Sequence, residues 1–133
     1  MELKFLGRGA AFYPEEGNNS AYFIENNELF LIDCGESTFS RLKTSGILND
    51  INSIYFMCTH THSDHIGSLG SLVLYSYYEL KKPLMIILPS QAKYLINLES
   101  ILKGFGITQE MYHYFTEKDF DDKYKNFKNI RYI

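Results

Sequence analysis

The chain is poor in the features that announce several common protein classes. Two cysteines, Cys34 and Cys58, are too few for a disulfide framework. Both fall at the ends of expected strands, where they read as buried free thiols of a reducing compartment. Basic residues number 13 against 16 acidic ones, a net charge of −3 with both signs mixed along the chain. The basic field that dominates affinity for nucleic-acid backbones is missing, so this portion does not suggest a long RNA or DNA as substrate. The longest apolar stretches, such as Leu84–Leu88, are far too short to cross a bilayer, and no membrane partner is expected. Met1–Phe5 opens like a strand instead of a charged leader with an apolar follow-on, so no secretory signal is expected and the cytoplasm is the expected compartment. Repeats, low-complexity tracts and linkers are likewise absent from the pattern.

Histidine is scarce too, with four in 133 residues, yet three of them lie in the run Thr59-His60-Thr61-His62-Ser63-Asp64-His65. At this composition a shuffled chain would produce H-x-H-x-D-H about once in several thousand attempts. Neutral imidazole is the commonest metal ligand, and carboxylate oxygen suits the same divalent ions. Four such donors on one short loop read as a metal site. In extended backbone His60 and His62, at i and i+2, point the same way and can grip one ion together. Asp64 and His65 are adjacent, and a turn at Ser63-Asp64 directs them to a neighbouring position. The spacing therefore permits two ions side by side, roughly 3.5–4 Å apart, the arrangement that clamps attacking and leaving oxygens in hydrolysis.

The scaffold expected around this loop is α/β. Leu3–Leu6 alternates like a half-buried strand, and Ser20–Glu25 and Leu29–Asp33 form a hairpin around Asn26-Asn27. Glu36–Thr44 is expected to be helical and to stop at Ser45-Gly46. Ile51–Met57 is the strand that delivers the histidine loop. Ile66–Leu80 follows as a buried helix, Pro83–Leu88 as an apolar strand, and a last helix runs to about Lys103 with Ser90 as its N-cap. Helices then cover the outer face of a mixed sheet. Gly67, Ser68, Gly70 and Ser71 bring a helix start close to the loop, for an anion or for tight packing. Tyr75, Tyr77 and Tyr78 read as packing residues, and Asn19 and Ser20 as turn formers or as lining of the site mouth.

His60-x-His62-x-Asp64-His65 followed by Ile66-Gly67 resembles the signature of the metallo-β-lactamase-fold hydrolases. Upstream, Lys4-Phe5-Leu6-Gly7-Arg8-Gly9 resembles the family's opening strand and glycine loop. Gly17-Asn18-Asn19-Ser20-Ala21 resembles the turn into its second strand, and Leu31-Ile32-Asp33-Cys34-Gly35 its strand-end aspartate and glycine. The order of these blocks is similar to the ribonuclease Z-like branch, which includes phosphodiesterases acting on cyclic nucleotides. The resemblance implies the N-terminal half of an αββα sandwich, with residues 1–133 the first portion of a single metallo-hydrolase domain. It implies His60 and His62 on one ion and His65 on a second. Asp64 holds its ion and doubles as the catalytic residue that takes or relays a proton, while Asp33 hydrogen-bonds the loop without touching metal. Zinc is the expected ion, with manganese or iron compatible with the same donors.

Members of that branch complete the site with later ligands, and the remaining histidine, His113, sits among aromatics as an ordinary packing or surface residue. Arg131-Tyr132-Ile133 reads as a further strand. The expected activity is hydrolysis of RNA ends or small cyclic nucleotides by a metal-activated hydroxide. A lactonase, thioesterase or β-lactam hydrolase on the same fold is the alternative, and a non-catalytic fragment or subunit is a third reading. For the polypeptide alone the expectation is weak metal binding, with a homo-oligomer or a separate C-terminal half pairing against an exposed inner sheet face.

Overall fold

The computed structural model describes residues 2–9, 14–116 and 119 of the chain. Six strands form one sheet whose spatial order follows the sequence: β1 (Lys4–Gly7), β2 (Ser20–Glu25), β3 (Glu28–Ile32), β4 (Ser53–Met57), β5 (Leu84–Leu88) and β6 (Tyr112–Thr116). The first two pairings are antiparallel and the last three parallel, so the sheet is mixed as expected. Asn26 and Asn27, both at positive φ (52° and 62°), make the two-residue turn joining β2 to β3. A primed turn of this kind matches the right-handed twist of the flanking strands, and asparagine tolerates the left-handed region it demands.

Helices α1 (Thr38–Thr44), α2 (Ser63–Ile66), α3 (Leu69–Tyr78) and α4 (Ala92–Gly104) fill the parallel crossovers. Strand alternation divides the apolar residues between the two faces. Leu29, Leu31, Ile54, Phe56, Leu84, Ile86 and Leu88 point to one side and meet Leu42, Leu69, Leu72, Val73, Leu98 and Leu102 from the helices. Most are completely buried, each contributing about 1.5–3 kcal/mol. On the opposite face Phe23 stacks on Phe30 at 4.6 Å and Phe30 on Tyr55 at 4.8 Å, in cross-strand register. All the helices whose residues enter the core lie on the outer face, as expected.

Several expectations are corrected. The helix expected over Ile66–Leu80 is two helices, broken at Gly67-Ser68. Ser68 leaves helical bonding because its backbone N–H donates to the Cys34 carbonyl (3.1 Å), while its hydroxyl donates to the Gly35 carbonyl and accepts from the Phe39 N–H (3.1 Å). The last helix begins after Gln91 instead of Ser90, without a side-chain cap bond. The inner face is not uncovered at its centre: Phe23, Phe30, Tyr55, Met57 and Ile87 are each at most 9% exposed. Leu3 and Phe5, at the sheet margin, are exposed. The expected strand at Arg131–Ile133 lies outside the described residues.

Candidate metal centre

The histidine loop leaves the C-terminal end of β4, where an α/β sheet customarily places its site. Cys58 prolongs the sheet, its N–H donating to the Ile87 carbonyl at 3.0 Å. The chain then bends over the sheet edge through Thr59–Thr61, and the extended backbone of His62 (φ −74°, ψ 155°) starts α2. His65 N–H and Ile66 N–H both return to the His62 carbonyl, so Asp64 and His65 project from the first turn of a helix. The expected turn at Ser63-Asp64 is therefore a helix start.

The donors converge. One ligand atom each from His60, His62 and Asp64 lie within 4.8 Å of one another. The His60 and His62 rings meet edge to face at 4.7 Å, as the i, i+2 spacing implies. His65 stands beside this trio, its ring 3.9 Å from that of His60 and its Nε2 3.2 Å from Asp64 Oδ2. Its other nitrogen, Nδ1, is 2.6 Å from Asp33 Oδ2.

Asp33 organises the loop. It follows β3 at positive φ (61°), which ends the strand and turns its carboxylate toward β4. Oδ1 accepts the Thr59 N–H at 2.9 Å, and Oδ2 accepts the Thr59 hydroxyl at 2.7 Å. Because that hydroxyl proton is spent on Asp33, Thr59 Oγ1 accepts from His60 Nδ1, 3.1 Å away. The same reasoning makes Nδ1 the protonated nitrogen of His65. One carboxylate thus sets the tautomer of two histidines, leaving both Nε2 lone pairs for a ligand. Burial, then the neighbouring His65 and His62, push the His60 pKa below its ordinary 6.5, so the ring stays neutral and able to donate.

These residues fit a divalent cation. In that tautomer His65 Nε2 and Asp64 Oδ2 are two lone-pair donors facing each other at 3.2 Å, which is unfavourable unless a cation or a proton is shared between them. Imidazole nitrogen with carboxylate oxygen is a donor set suited to zinc, and also to manganese or iron.

Thr59 is the residue that sequence reasoning missed, although its position directly before His-x-His was the available signal. Ser20 is a fastening residue, its hydroxyl bonded to the Ile32 and Asp33 carbonyls (3.0 and 2.9 Å), instead of a lining residue. The small residues at the start of α3 serve packing: Ser68 is consumed by its bonds, and a side chain on Gly70 would meet the Phe105 ring at 2.9 Å. Tyr75 packs against Phe39 and under Lys43. His113 is exposed on β6, the Cα partner of Met85, at the far sheet edge.

The chain is similar to proteins of known name and of solved structure. The family model described as anti-Pycsar protein Apyc1 matches residues 1–130. The anti-Pycsar protein Apyc1 of Bacillus phage 010DV004 is 42% identical over 82 residues, covering 60% of this chain and 31% of the relative. The crystal structure of human tRNase Z, short form, superposes with a TM-score of 0.59 at 29% identity, over 87% of this chain and 43% of the human one. The metallo-beta-lactamase fold protein YhfI from Bacillus subtilis superposes with a TM-score of 0.60 at 17% identity, over 86% and 44%, a likeness of fold. The expected fold class and the ribonuclease Z-like relationship are therefore borne out. The chain spans about a third of the phage relative's length and less than half of each solved chain.

Proposed function

The chain belongs to the anti-Pycsar protein Apyc1 family, and from that premise we propose that it carries the metal-binding loop of a phosphodiesterase for small cyclic nucleotides. The observation that carries the proposal is the convergence of His60, His62 and Asp64, with His65 and His60 both oriented through Asp33. Held there, divalent ions would supply Lewis acidity toward a phosphoryl oxygen and lower the pKa of a water to about 7. His60 and His62 would hold one ion, and Asp64 and His65 a second. Asp64 Oδ2, beside His65 Nε2, is the carboxylate placed to hold or relay a proton. The mixed charge, −3 overall, favours a small phosphodiester over a long RNA, whose backbone demands a basic field. Four donors do not complete two coordination shells, and further donors would be needed.

The test is zinc and manganese titration of the metal-free chain by calorimetry, followed by a substrate panel. The panel comprises 3′,5′-cyclic nucleotides, a 3′-extended RNA, an aryl lactone, a thioester and a chromogenic β-lactam. Metal uptake that disappears in His62→Ala is the expected result, with any turnover confined to phosphodiesters. Turnover of the acyl substrates alone, or a chain indifferent to metal, overturns the reading.

A further inference from the structure

The turn before β2 is tied to the segment after β3, which itself packs on the metal loop, by a buried side chain. Asn18 is 5% exposed. Its Oδ1 accepts from the Ser37 N–H at 2.9 Å and from the Ser37 hydroxyl at 3.1 Å, while the Ser37 hydroxyl accepts from the Asn18 N–H at 2.8 Å. This reciprocal clasp joins residues 19 positions apart and occupies the hydroxyl that would otherwise cap α1, where no side-chain cap bond is made. Gly35 lies between the clasp and the loop. A Cβ on Gly35 would fall 2.6 Å from Asn18 Cβ and 2.7 Å from its Cγ, and would collide with the Asp64 carbonyl oxygen.

The same stretch is stitched to the loop on its other flank. Cys34 N–H donates to the His65 carbonyl at 2.6 Å, and the Cys34 carbonyl accepts from the Ser68 N–H at 3.1 Å. Behind Asn18, Gly17 at positive φ (72°) leaves the space that the Arg41 guanidinium fills. Arg41 in turn donates to the Leu6 and Glu15 carbonyls, both at 3.1 Å. Asn18 therefore stands on a braced turn, and Gly35, having no side chain, fits the narrow space between the Asn18 side chain and the Asp64 carbonyl.

We propose that Asn18 is a positioning residue for the metal loop, setting the orientation of Asp64 and His65 through Ser37 and Gly35. The inference rests on the metal-site reading above. Groups hydrogen-bonded directly to metal ligands are worth about 10–100-fold in affinity when removed, and a clasp that reaches the ligands only through backbone packing is expected at the lower limit of that range. The bonds that the clasp takes from the Asn18 side chain all go to Oδ1, an acceptor role that a carboxylate can take over.

The test compares Asn18→Ala, Asn18→Asp and the unmodified chain, all metal-free at first and held well below their melting temperatures. The readout is the zinc dissociation constant from competition with a chromogenic chelator. Asn18→Ala is expected to weaken zinc binding about tenfold, and Asn18→Asp to restore most of it. Should Asn18→Ala not fold, Ser37→Ala removes the hydroxyl while keeping the Ser37 N–H bond, and is expected to weaken zinc binding by a smaller factor. A lowered melting temperature with unchanged zinc affinity overturns the proposal, because support of the fold alone would then explain the clasp. An unmodified chain that binds no zinc instead overturns the metal-site reading, and this inference with it.

Discussion

Asp33 and His65 are 32 positions apart in the chain, yet a carboxylate oxygen of one lies 2.6 Å from Nδ1 of the other. The same carboxylate holds the Thr59 N–H and hydroxyl, and through that hydroxyl the ring of His60. A group that touches none of the proposed ions thereby decides which nitrogen two of the proposed ligands present.

Asp33→Asn separates this charge from the backbone geometry. Asparagine tolerates the left-handed φ of 61°, so the strand end is preserved. The amide offers one acceptor oxygen where the carboxylate offers two, and the Nδ1–H of His65 loses its charged partner. Zinc affinity is expected to fall about 10–100-fold with near-native circular dichroism. Asp33→Ala adds backbone strain and is expected to melt lower as well. Zinc binding by Asp33→Asn as tight as that of the unmodified chain would remove Asp33 from the site.

The pH dependence of the metal-free fold follows from His60. Its pKa lies below 6.5 in the folded chain, first from burial and then from the neighbouring His65 and His62. Between 6.5 and that lower folded value, the unfolded chain binds the proton that the folded chain refuses. The contribution of His60 to stability is therefore complete above pH 6.5 and is lost as pH falls through the folded pKa. Denaturant midpoints of the metal-free chain are expected to be lower at pH 5.5 than at pH 7.5, with a smaller difference in His60→Gln. An equal difference in that variant would assign the effect to other groups.

What could be read in advance, and what could not, divides along physical lines. His60-x-His62-x-Asp64-His65 was legible because ligand chemistry and strand periodicity act over a few residues. The Asn26-Asn27 turn and the strands β2 to β5 were legible for the same local reason. The break at Gly67-Ser68 was not, since Ser68 leaves the helix for Cys34, Gly35 and Phe39, some 30 residues earlier. Thr59 escaped notice because its role exists only once β3 and β4 are paired in parallel and bring Asp33 beside it.

Cys34 and Cys58 flank this network as inert thiols. Burial, and secondarily the Asp33 charge, push both up to about 12, with the Ser68 hydroxyl partly opposing the rise at Cys34. At pH 8 the thiolate fraction is then about one in ten thousand. The folded chain is expected to resist a thiol-reactive chromophore while two thiols titrate at once in denaturant. Fast reaction of either cysteine in the folded chain would mean that the ends of β3 and β4 open readily.

Two glycines offer opposite outcomes for one kind of substitution. In Gly35→Ala the new methyl would press on the Asp64 carbonyl and lie 2.6 Å from Cβ of Asn18, whose side chain is held by Ser37. Forcing a methyl into a filled space costs about 1–3 kcal/mol, and here the displaced backbone carries Asp64. Gly35→Ala is therefore expected to lower both the melting temperature and the zinc affinity. In Gly104→Ala, at the end of α4, nothing lies within 4 Å of the new methyl and φ is not positive. That substitution is expected to stabilise the fold by about 0.4–1 kcal/mol, by restricting the unfolded chain, and to leave zinc binding unchanged. Thermal melts and chelator competition on the two variants read both effects. Unaltered zinc affinity in Gly35→Ala would show that the loop adjusts freely at Asp64, and that its geometry is set by Asp33 and Thr59 alone.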